Sequence, residues 1–61
     1  MSEVLFEMRQ IGNSVKVSAI DPISNTEVCI VGAASAGEKA LKLAALNKLR
    51  YVMAKQGRAP Q

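Results

Sequence analysis

Side chains able to do covalent or acid–base chemistry are scarce in this chain: one cysteine, Cys29, five acids and no histidine. The missing imidazole removes the commonest general base. The acids Glu3, Glu7, Asp21, Glu27 and Glu38 fall at strand, turn and helix-start positions, with no two placed for acid–base work. Cys29 lies in an apolar strand with no histidine to activate it, so it reads as a small hydrophobe. It is expected to point away from the helix, beside Ser18 and near Val31. A lone thiol cannot close an intrachain disulfide, and without histidine it cannot complete an ordinary metal set. The chain is therefore expected to be no enzyme, with no metal, no cofactor and no small-molecule substrate.

One stretch looks at first like a ligand loop. "VCIVGAASAGEKALKLAAL", Val28 to Leu46, runs from an apolar strand through a small-residue bend into an amphipathic helix. The bend Gly32-Ala33-Ala34-Ser35-Ala36-Gly37 lacks both the G-x-x-x-x-G-K-[ST] order of a P-loop and the G-x-G-x-x-G of a dinucleotide fold. Both belong to parallel βαβ units, and nothing here supplies a second parallel strand. Gly32 reads instead as strand exit, and Ala33-Ala34 as backbone passing close over a sheet. Ser35 reads as a helix N-cap, with Glu38 completing an S-x-x-E capping box. Glu38 then already answers the helix dipole. The bend is structural.

The net charge of +3 is unevenly placed: Lys39, Lys42, Lys48, Arg50 and Lys55 lie in the helical segment and Arg58 follows it. Such a stripe is either a solvated face or a surface for phosphates. In the nucleic-acid reading, Lys39 and Lys42 are the contacts.

The elements that carry these residues follow from patterning. Val4 to Ile11 and Ser14 to Ile20 flank Gly12-Asn13, a two-residue hairpin turn needing positive φ. Pairing Ile11 with Ser14 sets Met8 opposite Val17 and Phe6 opposite Ala19. One face then collects Val4, Phe6, Met8, Val15, Val17 and Ala19, and a one-residue slip would scramble it. The turn Asp21-Pro22-Ile23-Ser24-Asn25-Thr26 joins a third strand, Glu27 to Val31. If Asp21 pairs with Thr26, Ala19 faces Val28 and Val17 faces Ile30, extending the same face. A helix over Ala36 to Lys55 brings Leu41, Ala45, Leu49, Val52 and Met53 to one side, with Leu46 widening the arc and Leu43 outside it. Gln56-Gly57 is its stop signal. The expected fold class is α+β: a three-stranded antiparallel β-meander with one C-terminal α-helix on one face. One βββα domain spans residues 1–56, and residues 57–61 form a disordered tail.

At 61 residues, 49% of them hydrophobic and 21% charged, the chain is foldable but small. A domain of this size buries only about 60% of its unfolded surface and commonly needs a staple or a partner. No apolar run reaches the ~18 residues of a membrane helix. The start lacks the basic and apolar regions of a secretory signal, and an unpaired cysteine is easiest to keep reduced inside the cell. A cytoplasmic location is expected.

Two resemblances follow from particular stretches. The order strand, strand, strand, helix, with "SAGEKALKLAALNKL" entering the helix, resembles the C-terminal part of the double-stranded-RNA-binding domain over roughly Phe6 to Met53. The first helix of that family is absent here. Ala36-Gly37-Glu38-Lys39 stands where the family has a lysine cluster, so the resemblance implies phosphate contacts from Lys39 and Lys42 alone. The whole chain, through "GNSVKVSAIDP", "VGAASAGEKAL" and "LNKLRYVMAK", is similar to a family of short uncharacterised proteobacterial proteins of unknown function. That resemblance brings no site residues.

The leading functional expectation is a small non-catalytic module that self-associates as a homodimer or docks on a protein partner. Weak binding of double-stranded RNA through the basic helix is the alternative. Length suggests where two copies would meet. A helix from Ala36 spans ~30 Å against ~23 Å for a seven-residue strand, so its end around Leu49, Val52 and Met53 should overhang the sheet. The outer sheet face, where Leu5 and Ile20 are neighbours with Cys29 and Val31 close by, is the other candidate contact.

Overall fold

The computed structural model describes residues 3–57, which form an antiparallel sheet in the order β1-β2-β3 followed by one helix. The strands are β1 (Leu5–Ile11), β2 (Ser14–Asp21) and β3 (Thr26–Ala33), and the helix is α1 (Glu38–Lys55). This is the α+β, β-β-β-α arrangement that the patterning predicts.

Both registers agree with the sequence reading. Met8 pairs with Val17 and Phe6 with Ala19, while Asp21 pairs with Thr26, Ala19 with Val28 and Val17 with Ile30. The first turn works because Gly12 takes φ 60°, as the first central residue of a II′ hairpin turn does. The second turn is closed by its own side chains. The Asn25 N–H donates to the Asp21 carbonyl at 2.8 Å, and Asn25 absorbs the positive φ of 62°. Asp21 Oδ2 accepts from the Ser24 hydroxyl at 2.7 Å and the Ser24 N–H at 3.2 Å.

The core joins four sheet residues to one row of the helix. Val15, Val17, Ala19 and Val28 meet Leu41, Ala45, Leu49 and Met53, all buried. The helical four recur at i, i+4, which stacks them on one narrow face. Alanines at 19 and 45, both 0% exposed, let the helix lie close on the sheet. Each large side chain fully buried here contributes roughly 1.5–3 kcal/mol. The row runs over β2 and β3 and leaves β1 at the margin.

Several sequence expectations need correction. The helix begins at Glu38, not Ala36, because Ala34–Ala36 forms a 3-10 turn and Gly37 is the N-cap. Gly37 adopts φ 90°, open to glycine, so Ser35 sits inside the turn and makes no cap hydrogen bond. Glu38 is then the first helical residue, and its carboxylate meets Lys42 at 3.1 Å instead of closing a capping box. Gly32 does not end its strand either. It lies within β3, and a Cβ there would collide with the Leu41 side chain. Phe6 is half-buried at the edge of the core, not in it, because α1 does not cover β1. At its far end the helix stops as expected, with Gln56 as C-cap and Gly57 at φ 76°. Of the disordered tail expected at residues 57–61, residues 58–61 lie outside the described residues.

Candidate functional site

The chemistry-bearing side chains stay apart in the folded chain. Cys29 is free and half-buried on the sheet face away from α1, with its Sγ 3.2 Å from the Ser18 hydroxyl. That is the placement the register predicts. Glu3, Glu7, Glu27 and Glu38 are exposed, whereas Asp21 is fully buried and holds the second turn. The sequence reading missed this burial although its signal was present: Asp21 has the same parity as Val17 and Ala19, so the strand turns it toward the helix side. Among the described residues no three Asp, Glu, Cys or His side chains gather as a metal set. No described helix is long and apolar enough to cross a membrane.

The basic helix face is largely engaged with the protein itself. Lys42 pairs with Glu38 and lies 5.7 Å above the Phe6 ring, while Lys55 lies 5.4 Å above Tyr51. The Lys48 ammonium donates to the Cys29 carbonyl at 2.9 Å. Lys39 and Arg50 are exposed. The two lysines assigned to phosphate in the RNA reading thus differ: Lys39 faces solvent and Lys42 bridges helix and strand.

The apolar contact residues are also redistributed. Leu49 and Met53 are 0% and 1% exposed, and Val52 is half-buried against the same core. Leu49 and Met53 are therefore taken up by the chain's own core and do not overhang it, and the reason is length. Starting at Glu38, the 18-residue helix spans ~27 Å. An eight-residue β3 spans ~26 Å, so nothing overhangs. Leu5 and Ile20 are direct cross-strand neighbours on the outer face, as expected. Val31 lies beyond Lys16 on that face, so the outer apolar strip is interrupted.

What the sequence reading missed is a difference between the two edges of the sheet. An edge strand presents a row of free N–H and C=O groups that can template another strand. On β3, Lys48 reaches over the edge and occupies the carbonyl of Cys29. The signal for this was a lysine immediately before Leu49, beside the buried row of the helix. Among the described residues the β1 edge carries no such cover. Of its seven residues only Phe6 is half-buried and the rest are exposed. Leu5, Met8 and Ile11 are apolar and 47%, 37% and 64% exposed. It contains no proline and runs unbroken in register from Leu5 to Ile11. A shallow outer-face hollow beside it is lined by Glu7, Met8, Arg9, Lys16 and Ser18.

The family model of a domain of unknown function, DUF6898, matches residues 1–56. The chain belongs to that family. This agrees with the whole-chain resemblance to an uncharacterised family noted from the sequence. No curated protein and no solved structure matches the chain. DUF6898 membership brings no activity, so function rests on the surfaces just described.

Proposed function

We propose that this domain is a non-catalytic interaction module that works by self-association in the cytoplasm, where a free thiol such as Cys29 stays reduced. The observation that carries the reading is the unequal treatment of the two sheet edges. On β3 the outward carbonyl of Cys29 is taken by Lys48, whereas among the described residues β1 is left open, unbroken and flanked by exposed Leu5, Met8 and Ile11. A solvent-facing edge with apolar flanks is a surface that monomeric proteins ordinarily blunt. The dispersal of the acids and of Cys29 supports the absence of catalysis.

Sedimentation over a range of concentrations tests the reading. A mass that rises above the 6.5 kDa of one chain at tens of micromolar supports it. A single species of 6.5 kDa throughout would end it.

A further inference from the structure

We infer that two copies of this chain pair β1 against β1, antiparallel and centred on Met8, so that two three-stranded sheets fuse into one. The inference rests on the self-association reading and adds the surface and the register. It starts from the hydrogen-bond phase of β1. In a two-residue hairpin the residues flanking the turn, here Ile11 and Ser14, form a hydrogen-bonded pair, and the ladder alternates from there. The backbone groups of Phe6, Met8 and Gln10 therefore point to the open edge. The same alternation turns Cys29 of β3 outward, where Lys48 finds its carbonyl.

A second β1 must set these three residues against their own kind, which leaves few two-fold registers. Centring on Glu7 places glutamate directly on glutamate, and centring on Arg9 places arginine on arginine. Like charges directly opposite are destabilising. Centring on Met8 instead sets Glu7 against the partner's Arg9, twice, and Leu5 against the partner's Ile11, twice. Phe6 then opposes the partner's Gln10, and all seven residues of β1 are paired. Registers shifted further leave part of the strand unpaired. The charged pair falls at a close, non-hydrogen-bonded position, with Cα atoms ~4.5 Å apart.

A second observation points the same way. Within one chain Arg9 lies directly across from Lys16, an unfavourable cross-strand pair. Among the described residues the ion pair formed is that of Lys42 with Glu38, and it involves neither Glu7 nor Arg9. The Met8-centred register supplies the missing countercharge, because it brings the partner's Glu7 beside Arg9. Room is available as well. The two-fold axis is normal to the sheet, so both helices stay on one face, and each lies over β2 and β3, away from the junction.

Charge reversal tests the register while leaving the sheet's inner face untouched. Glu7→Arg alone and Arg9→Glu alone each create two like-charge pairs, and each is expected to weaken the dimer at least tenfold in sedimentation. Mixing these two variants restores the dimer, since each strand then meets its opposite, and the doubly reversed chain dimerises as the wild type does. Circular dichroism and melting confirm that the variants are folded. A second measurement needs no weakening: Met8→Cys is expected to cross-link to dimer under mild oxidation, faster than Gln10→Cys, which faces Phe6 of the partner. Wild-type-like dimers of both single reversals, or equal cross-linking of the two cysteine variants, would overturn the register while leaving self-association intact. A wild-type chain that stays monomeric would remove both.

Discussion

Leu41 occupies the space that a side chain at Gly32 would need. The contact ties the first turn of α1 to the last residues of β3. It also explains why the chain has glycine inside a strand, where it otherwise weakens packing. Leu41 is itself buried at 6% exposure, so it has little freedom to move aside. Gly32→Ala is therefore expected to destabilise the domain by ~1–3 kcal/mol through overpacking. Because the cause is one neighbour, the loss should shrink when Leu41 is also truncated to alanine. Denaturant titration of the single and double variants checks this. Strict additivity of the two substitutions would show that the collision is not the cause.

Leu49 and Phe6 should separate in the same kind of experiment. Leu49 is 0% exposed at the centre of the helical row, so Leu49→Ala is expected to cost ~2–5 kcal/mol. A domain this small has little more stability than that to lose. Phe6 is half-buried at the margin of the core, with the Lys42 ammonium over its ring. Phe6→Ala is expected to cost about 1–2 kcal/mol. Equal losses at the two positions would mean that β1 is covered more fully than this packing allows.

The contrast between these residues shows what the sequence could and could not reveal. Alternation in β1, β2 and β3, together with two short turns, specified both registers, because a slip would have exposed Val17 and Val28. Periodicity also identified Leu41, Ala45, Leu49 and Met53. It could not say how far across the sheet their helix would lie, so Phe6, placed on the same apolar face as Val17 and Ala19, proved marginal. The start of the helix was misread at Ser35 for a related reason. Capping propensity is local, whereas the direction of the chain there is set by Gly37 at φ 90° and by Leu41 seating on Gly32. The candidate contact surface was the least legible part. Whether an edge is open depends on a lysine 19 residues away in sequence, Lys48 on Cys29: its place beside Leu49 is legible, but the strand edge it reaches is set only when the helix lies on the sheet.

Nucleic-acid binding makes a separate prediction. Lys42 is shared between Glu38 and Phe6, Lys48 bonds the Cys29 carbonyl and Lys55 lies over Tyr51, which leaves Lys39 and Arg50 as the exposed helix cations not engaged within the described residues. With so few phosphates neutralised, any affinity for duplex RNA should be weak and should have a shallow salt slope. Filter binding at ~50–200 mM salt reads both quantities. Submicromolar binding at physiological salt that is lost in Lys39→Ala would favour the RNA-binding reading over self-association.

Lys48 gives the last prediction. Its ammonium sits on the Cys29 carbonyl at the β3 edge, 2.9 Å away. A lysine held over a strand edge deters further pairing, by its charge and by filling the acceptor. Its own contribution to folding should be small, since it is an exposed side chain, and Lys48→Ala is expected to change stability by no more than ~0.5 kcal/mol. Association is where the substitution should tell. If β1 edges pair two copies, opening the β3 edges leaves each dimer with two further templates, so growth no longer closes at two. Light scattering of Lys48→Ala should then rise with concentration beyond the dimer, while wild type stops there. Lys48→Arg should restore closure, because it keeps both the charge and a donor. If Lys48→Ala stops at the same mass as wild type, the β3 edge is guarded by something other than this lysine, and the contrast between the two edges loses its force.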